Sequence, residues 1–554
     1  MYTRITRSGG RAYLQLVEAF RDDAGKPRQR VVANLGRLDQ LAAKQLDPII
    51  SGLERAIGRS RPPAGAVQYD PSKSYGDLFA LTELWRDLGF DLALRRSLRS
   101  SRRQFDAEAL IRAMVFNRLC DPESKLGVLR WLETVAMPGA PERPSHDHLL
   151  RAMDALMDRA DRVEAAIGHQ LRPLLDQSLA VVFYDLTTVT IEGVGEVSGD
   201  VRQFGRSKDG GIRRQFVLGV VQSADGLPLM HTVSEGNVAE TKTLRPMLER
   251  VLKQFPIERM VLVADRGLLS LDNVAQIEAT AKELSRPIDF ILAVPIRRYG
   301  DLADEVIKLD VDDEVVETRF GEHRLIVSHD PVNAARSKDR RRKKLDELLA
   351  AGDRLASKLD RQDKGITERG RRASDRGAYS RFHRMVAEAE MTRFVDIDLN
   401  ADLFSFSENQ PAIERAEALD GKLVVITSVD DLTPDEVIRR YKSLADIERG
   451  FRVLKSDIEI APVYHRLPGR IRAHALICFL ALVLHRVMRL KLRQAGSTLS
   501  PTRAIELAQR IHYHRVDIRH RPHRGVTKLS AEQKDLFDQL EIERPTIERV
   551  DAAA

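Results

Sequence analysis

The spacing of apolar positions changes along the chain and predicts three kinds of structure. Residues 11–36 alternate apolar and polar positions around a Gly- and Pro-containing turn, which predicts a β-hairpin. Residues 77–176 repeat apolar positions at helical spacing, so a helical domain is expected there, with Asp106 as the N-cap of a helix over 107–119. Beyond residue 180, short apolar runs alternate with amphipathic segments, which predicts an α/β domain.

Two aspartates stand in apolar runs that are typical of buried strands. Asp185 interrupts the run 181–186, and Asp265 ends the run 260–264. Burying a carboxylate is costly unless a positive charge compensates it. An amphipathic, helix-compatible stretch further along adds a third carboxylate, Glu448. A divalent cation is the simplest compensation for all three.

The stretch that contains Glu448 predicts one continuous helix with three polar residues in a row. Tyr441, Glu448 and Lys455 are spaced by seven and border an apolar stripe. At a rise of about 1.5 Å per residue, Lys455 would lie about 10 Å from Glu448 along the helix axis. That distance suits a contact to a phosphate beside the metal site, and Tyr441 lies equally far on the other side.

The order of the predicted elements in the α/β part matches a ribonuclease-H-like core. Three strands, a helix, a strand, a helix and a strand precede the Glu448 helix, with Asp185 on the first strand and Asp265 at the end of the fourth. A long segment before the Glu448 helix exceeds what that core requires and contains several strand-like runs. It is predicted to be a β-rich insertion.

These patterns divide the chain into seven predicted segments. They are a basic β-hairpin module (1–60), a linker (61–76), a helical domain that is a candidate for DNA binding (77–178), the first part of the core (179–297), the insertion domain (298–432), the last part of the core with the Glu448 helix (433–495), and a helical, basic C-terminal region (496–554).

Composition narrows the class of protein. At 554 residues the chain is too long for one hydrophobic core. The net charge of +7 favours a polyanionic partner, although the clustering of basic residues matters more than their sum. Two clusters stand out, one in the hairpin module and one at 336–344, and each is either a solvated face or a DNA contact.

Cysteine content and hydropathy exclude several other classes. Cys120 and Cys478 are the only cysteines, which excludes a disulfide framework and a cysteine-based zinc module and fits a reducing cytoplasm. The histidines near the C-terminus lack regular ligand spacing, so zinc is not expected there. The most apolar segment, 475–484, is about half as long as a membrane span and predicts a buried helix.

Several short motifs, in this order, resemble those of DDE-type insertion-sequence transposases that carry a Tyr-Arg-Glu-Lys signature on the last catalytic helix. The resemblance covers most of the chain and is strongest to the branch with an N-terminal hairpin module and a β-rich insertion before the catalytic glutamate. The motifs that carry it are residues 183–188, 205–209, 235–237, 263–267, 441–455 and 462–466.

The resemblance implies a ribonuclease-H-like nuclease and strand transferase. It would cut DNA at the terminal inverted repeats of its own element and join the 3′ ends to target DNA. Asp185, Asp265 and Glu448 would be the catalytic residues and would hold two Mg²⁺ ions, for which Mn²⁺ could substitute. Two hard cations about 3.5–4 Å apart can activate a nucleophile and stabilise the leaving oxygen, and carboxylates are suitable ligands for them.

The signature also implies contacts to DNA near the cut. The residues expected to make them are Tyr441, Lys455, Arg452, Ser207 and Lys208. The position of the signature's arginine is Leu444, a departure from the pattern, so that role is absent or belongs to Arg449 or Arg452.

A second departure concerns base flipping, which some relatives use when they form a hairpin at the cut end. Neither tryptophan of the chain lies in the insertion, since they are Trp85 and Trp131. Tyr299, Tyr379 or Phe382 could stack on a flipped base, and the sequence leaves hairpin chemistry open.

Two rival functions remain beside transposition. One is a related nuclease that cleaves without strand transfer, and the other is a domesticated or inactive transposase that acts only as a DNA-binding protein. The intact Asp185, Asp265, Glu448 and Lys455 argue against decay. A homodimer in the end complex is expected because two ends must be held together. A prokaryotic, cytoplasmic, nucleoid-associated protein with double-stranded DNA as its partner and no membrane association is expected.

Overall fold

The computed structural model describes most of the chain. The described residues are 1–40, 50, 52–54, 56–57, 67–100, 104–174, 180–193, 200–208, 210–255, 257–264, 271–284, 286–294, 300–309, 315–366, 372–400, 402–518 and 521–548. The chain divides into two compact units, one formed by Met1–Ser72 with His514–Gly525 and the other by Lys73–Tyr513 with Val526–Ala554.

The smaller unit begins with a three-stranded antiparallel sheet in the order β1-β2-β3. Its strands are β1 (Tyr2–Ser8), β2 (Arg11–Arg21) and β3 (Pro27–Arg37). The predicted hairpin corresponds to β2 and β3, and β1 adds a strand on the other side of β2. The turn between β2 and β3 needs a glycine, because Gly25 has φ +74°. The unit also contains β4 (Val67–Tyr69), which pairs antiparallel with residues 516–518.

The larger unit opens with a short strand and a block of helices. The strand β5 (Lys73–Ser74) is followed by α1 (Gly76–Asp87), α2 (Phe90–Ser97), α3 (Ala107–Cys120), α4 (Lys125–Thr134), α5 (His146–Asp158) and α6 (Ala160–Leu171). The predicted cap of α3 is confirmed, since the Asp106 carboxylate accepts a hydrogen bond from the Ala109 N–H at 3.1 Å. The helices bury a common apolar core that includes Trp85 and Phe116.

A nine-stranded mixed sheet forms the centre of the larger unit. Its strands follow the order β12-β13-β16-β11-β10-β6-β8-β7, with β9 also paired to β8. The bounds are β6 (Ala180–Thr190), β7 (Gln203–Arg206), β8 (Ile212–Ser223), β9 (Pro228–Glu235), β10 (Met260–Ala264), β11 (Ile288–Ala293), β12 (Val316–Phe320), β13 (His323–His329) and β16 (Lys422–Thr427).

Strand β6 lies in the interior of this sheet and has partners of both orientations. It runs antiparallel to β8 and parallel to β10, and β10 in turn runs parallel to β11. The helices that connect these strands are α7 (Leu244–Gln254), α8 (Leu271–Leu284) and α9 (Gly300–Lys308). The architecture is thus a mixed α/β fold, as the alternation of patterns predicts.

Residues 298–432, predicted as an insertion domain, have two parts. Strands β12, β13 and β16 extend the central sheet beyond β11 through antiparallel pairing. The remaining elements enclose a separate apolar core around Phe382, and they are α10 (Pro331–Asp363), α11 (Asp375–Glu388), β14 (Val395–Asn400), β15 (Leu403–Glu408) and α12 (Gln410–Leu419).

The rest of the chain is mainly helical. Its elements are α13 (Pro434–Lys442), α14 (Leu444–Arg452), α15 (Pro468–Gln494), α16 (Pro501–Gln509), β17 (His512–Ile518), β18 (Arg521–Val526) and α17 (Ala531–Gln539). Helix α15 contains the predicted buried segment 475–484, which lies entirely inside the core. Among the described helices, none combines the length and the apolar character that crossing a membrane requires.

Candidate active site

Asp185 lies in the interior of the central sheet, on β6. Its register partner on β8 is Val220, and neighbouring residues of both strands are buried. The carboxylate itself is only 18% exposed. Oδ1 accepts a hydrogen bond from the Leu186 N–H at 2.7 Å. The sheet therefore holds a half-buried carboxylate on β6, between the neighbouring strands β8 and β10.

The loop after β7 brings a cation to this carboxylate. Lys208 Nζ lies 3.7 Å from Asp185 Oδ1 and also donates to the Leu186 carbonyl. Thr188, almost completely buried on β6, holds the loop in place, because its hydroxyl accepts from the Lys208 N–H at 3.0 Å and lies 3.4 Å from Ser207 Oγ. Ser207 is itself buried. Its polar group therefore contacts the protein interior, whereas the Lys208 side chain is 43% exposed.

Two glycines let the segments around this loop approach each other. A Cβ on Gly205 would lie 2.1 Å from the Gly236 carbonyl oxygen, and a Cβ on Gly236 would lie 2.0 Å from the Gln215 carbonyl oxygen. Gln215 connects them through its side-chain amide, which donates to the Gly236 carbonyl at 2.9 Å. The motifs 205–209 and 235–237 are therefore neighbours in the fold, and Asp209 lies outside the described residues.

Tyr184, the residue before Asp185, anchors β6. Its ring is fully buried and its hydroxyl donates to Thr243 Oγ1 at 3.0 Å. The ring occupies space over Gly219 of β8, where a Cβ would lie 2.8 Å from it. This packing fixes the position of β6 relative to β8 at the residue next to Asp185.

Asp265 lies outside the described residues, but the strand that leads to it does not. Strand β10 pairs in parallel with β6, and the register places Ala264 beside Tyr184. Ala264 and Tyr184 directly precede Asp265 and Asp185 in the sequence. The two predicted carboxylates therefore follow residues that are paired in adjacent strands.

The prediction of one continuous helix over 441–455 is wrong. A turn at Ser443 divides α13 from α14, and residues Val453–Asp457 form a π-helical turn after α14. Ser443 Oγ donates to the Arg439 carbonyl at 3.1 Å, an interaction that competes with regular helical bonding and bends helices. In the π turn the Ile458 N–H bonds the Val453 carbonyl at 2.9 Å, which adds a residue to the turn. Tyr441, Glu448 and Lys455 thus belong to three different elements.

Glu448 lies on α14, which packs against β6. Its side chain is not among those described. Gly450, one of its neighbours, is buried where α14 approaches the sheet and α15. A Cβ there would lie 2.8 Å from Gln222 Nε2 and 3.1 Å from an Arg486 guanidinium nitrogen, both on buried side chains. A glycine at 450 therefore allows the close approach of the Glu448 helix.

The other residues of the signature differ in exposure. Arg452 and Arg449 are exposed, whereas Lys455 and Tyr441 are half-buried. Leu444, at the position of the signature's arginine, is 8% exposed and belongs to the main apolar core. Its role in this chain is therefore in packing, and the exposed Arg449 and Arg452 lie further along α14.

The basic run 336–344 lies on α10 and is extensively paired within its own segment. Arg341 is buried and forms an ion pair with Asp420. Lys338 lies 2.9 Å from Glu417, and Arg342 lies 2.6 Å from Asp346. These pairs favour a structural role for part of the run.

The donor chemistry at Asp185 fits a divalent metal. Its carboxylate oxygens are hard donors of the kind that Mg²⁺ and Mn²⁺ prefer, and the side chain is held in a half-buried position beside the strand end of β10. Within the part of the chain that the structure describes, no group of three or more His, Cys, Asp or Glu side chains could hold a metal ion. That part includes the carboxylate of Asp185 but not those of Asp265 and Glu448.

Comparison with protein families identifies the class of protein. The family model of the transposase DDE domain matches residues 177–484, more than half of the chain, and contains Asp185, Asp265 and Glu448. A second model, the N-terminal domain of IS1634 family transposases, matches residues 2–64. The chain therefore belongs to the DDE-type insertion-sequence transposases. No curated protein sequence matches it.

Membership of this family defines the activity in general terms. The protein is an enzyme that binds DNA, cleaves it and transfers strands with the help of divalent metal ions. The prediction of a DDE-type transposase is thereby confirmed, as is the prediction of DNA as its partner.

Sequence reasoning assigned no role to several buried polar residues that support the site. Thr188, Gln222 and Arg486 are buried polar residues that contact the loop of Lys208 or the helix of Glu448. Gly450 offered one signal, because glycine inside an amphipathic helix is unfavourable and implies close packing.

Proposed function

We propose that Asp185, Asp265 and Glu448 together hold two Mg²⁺ ions, with Mn²⁺ as a substitute, at one catalytic site. The observation that carries this is the position of Asp185, half-buried in the interior of the sheet and flanked by β10 in parallel register. Helix α14, which carries Glu448, packs against the same strand. Asp265 completes the proposed site, because it directly follows Ala264, the last residue of β10.

The strand order supports a ribonuclease-H-like catalytic core. The run β9-β8-β6-β10-β11 contains two antiparallel pairings followed by two parallel ones. The sequence predicts three strands before the first helix and one strand after each of two helices, and β6, β8, β9, β10 and β11 follow that order along the chain. Strands β16, β13 and β12 continue the sheet beyond that core.

The reaction we propose is the cutting of DNA at terminal inverted repeats followed by joining of the 3′ ends to target DNA. When bound, the metal ions would supply an activated water or 3′-hydroxyl and a stabilised leaving oxygen. The protein's own groups orient the DNA and balance charge. Lys208 lies beside Asp185 and is partly exposed, so it can contact a phosphate oxygen next to the cut.

The proposed DNA contacts are Tyr441, Lys455, Arg452, Ser207 and Lys208. Support differs among them: Arg452 and Lys208 are exposed, while Ser207 is buried and more suited to holding its loop in place. Lys455 lies in the π turn, which displaces it from the ideal helical row. In this proposal, residues after Glu448 make most of the contacts to a DNA strand that lies along α14. A homodimer would hold the two ends together.

Cleavage and joining on a plasmid that carries the element's ends test this function. Wild-type protein is expected to release and join the ends in Mg²⁺ or Mn²⁺. Asp185→Asn should lose both activities and still bind end DNA. Asp225→Asn is the matched control, because Asp225 is exposed in the β8–β9 turn. Cleavage and joining by Asp185→Asn at the wild-type rate would remove Asp185 from the metal site.

A further inference from the structure

A cavity of the larger unit has a predominantly basic lining. A cavity of about 530 Å³ opens between the helical block and the segment that follows the π turn. We call it the Lys125 cavity, and its charged lining comprises Arg118, Lys125, Arg466, Arg470, Glu123 and Glu459. Its volume is within the range of pockets that bind small ligands.

Lys125 is the unusual member of this lining. Its side chain is 6% exposed, yet its ammonium forms neither a hydrogen bond nor an ion pair with any residue that the structure describes. Burial, followed by the nearby Arg118, lowers its pKa to about 7. A lysine ammonium is rarely buried without a partner because desolvation is costly, so its presence in a cavity wall indicates an anionic ligand.

The two acids of the lining do not neutralise Lys125. The Glu123 carboxylate accepts from the Ser124 N–H at 3.3 Å and lies against Gly127, where a Cβ would be 2.3 Å from its Oε2. Glu459 is exposed. Of the other cations, Arg470 is paired with Asp154 at 2.8 Å, whereas Arg118 donates to the carbonyls of residues 458 and 459.

The helix geometry of the cavity also favours an anion. The N-terminal residues of α4, α5 and α15 contribute to its wall, namely Lys125, His146 and Leu467 with their neighbours. The N-terminus of a helix carries a partial positive charge, which attracts phosphate even where a serine caps one of its N–H groups, as Ser124 and Ser145 do at α4 and α5. Three helix N-termini around one buried ammonium favour an anion more strongly than a single helix N-terminus would.

The cavity is connected to the strand of Asp185 by hydrogen bonds. Val463, in its wall, donates to the Thr190 carbonyl at 3.2 Å and accepts from the Glu192 N–H at 2.9 Å. Thr190 lies about 17 Å beyond Asp185 on β6, at about 3.3 Å per residue. That separation is comparable to about five nucleotide steps along one DNA strand.

We propose that the Lys125 cavity is a phosphate-binding site that takes a backbone phosphate of the DNA held by the enzyme. The phosphate chemistry stands on the cavity itself, whereas the assignment to DNA rests on the proposed function. The ligand's charge would replace the missing partner of Lys125 and add to the affinity for DNA away from the cut.

Calorimetric titration of the full-length protein with inorganic phosphate tests the site. Wild type should bind phosphate saturably, Lys125→Gln about tenfold more weakly or worse, and Lys125→Arg nearly as well as wild type. Lys534→Gln is the matched control, because Lys534 is exposed on α17. Equal phosphate affinity in wild type and Lys125→Gln would overturn the proposal.

Urea unfolding without phosphate separates binding from folding. Lys125→Gln should be at least as stable as wild type, because it removes a buried, unpartnered charge. A strongly destabilised Lys125→Gln would mean that the lysine has a structural role and would overturn the site.

A competition experiment distinguishes the two sources of phosphate. A double-stranded oligodeoxynucleotide without terminal phosphates should displace inorganic phosphate from wild type. Failure to displace it would leave a site for free phosphate only and overturn the assignment to DNA. Asp185→Asn should bind phosphate like wild type in either case, so failure of the proposed metal site and failure of this site give different results.

Discussion

Lys208 Nζ lies 3.7 Å from Asp185 Oδ1, on a loop that Thr188 holds against the strand of Asp185. An ammonium in this position and a metal ion are both attracted to the same carboxylate. The contact is partly exposed, so its free energy is in the range of about 0–1 kcal/mol. In the proposed metal site the lysine competes weakly with metal for this carboxylate, and its partly exposed side chain is the proposed contact to DNA.

Replacement of Lys208 separates these two effects. Lys208→Gln should lower the Mn²⁺ concentration that gives half-maximal cleavage by up to about fivefold, because the competing charge is gone. Its maximal cleavage rate should fall, because a phosphate contact is lost. Cleavage rate measured against Mn²⁺ concentration gives both values, with Lys253→Gln on the exposed face of α7 as control. A higher Mn²⁺ requirement in Lys208→Gln would show that the lysine does not compete for Asp185.

Gly450 controls how closely the helix of Glu448 approaches the sheet. Gly450→Val would place side-chain atoms against Gln222 and Arg486 and should destabilise the fold by about 1–3 kcal/mol. Because α14 must move, cleavage should fall by about tenfold or more in protein that remains folded. Gly469→Val is the control, since a Cβ at Gly469 meets no atom within 4 Å. Wild-type cleavage by folded Gly450→Val would contradict the close-approach role.

A buried charge network stabilises the helical block. Glu108 accepts hydrogen bonds from Trp85 Nε1 at 3.0 Å and from Arg112 Nε at 2.9 Å, and both charged residues are almost completely buried. Glu108→Ala should lower the free energy of unfolding by about 3–5 kcal/mol, because Arg112 loses its buried partner. Glu83→Ala breaks the more exposed pair with Arg86 and should change it by about 1 kcal/mol or less. Urea unfolding measures both, and equal effects would contradict the network.

His231 makes the larger unit sensitive to acid. Its ring is buried and stacks on Phe479 with centroids 4.9 Å apart. Burial, aided by Arg250 and Arg472, lowers its pKa from 6.5 to about 3. Between pH 3 and 6.5 the unfolded state therefore binds more protons than the folded state. The contribution of His231 to the free energy of unfolding is complete above pH 6.5 and decreases as the pH falls towards 3, by up to about 1.4 kcal/mol per pH unit.

His231→Gln should reduce that loss. Its free energy of unfolding, measured between pH 7 and 4, should fall less steeply than that of wild type. His323→Gln is the control, because the His323 side chain is 21% exposed, unlike the buried His231, and lies 3.5 Å from Glu278. An unchanged slope in His231→Gln would show that other groups determine the acid sensitivity.

The sequence predicts the scaffold of the site better than its surroundings. Apolar runs around Asp185 and before Asp265 gave the correct strands, because strands buried on both faces are continuous in apolar residues. The periodicity near Glu448 gave the helix but not its interruptions. Ser443 and the π turn interrupt the regular α-helix through hydrogen bonds that a spacing pattern does not contain.

The roles of residues that act through tertiary contacts could not be predicted from local pattern. Thr188, Gln222 and Arg486 come from three elements far apart in the sequence, and each is polar where the pattern predicts burial. The same holds for Lys125, which begins an ordinary amphipathic helix. Its significance arises only when the helix ends are placed around one cavity.

Ligation of a metal ion by Asp185 is tested most directly by changing the ligand's softness. Asp185→Cys replaces a hard oxygen with a thiolate, which binds Mn²⁺ better than Mg²⁺. The measurement is the rate of cleavage of a plasmid that carries the element's ends, in Mn²⁺ divided by that in Mg²⁺. This ratio should be at least about tenfold larger for Asp185→Cys than for wild type. A ratio equal to that of wild type would contradict a metal site at Asp185.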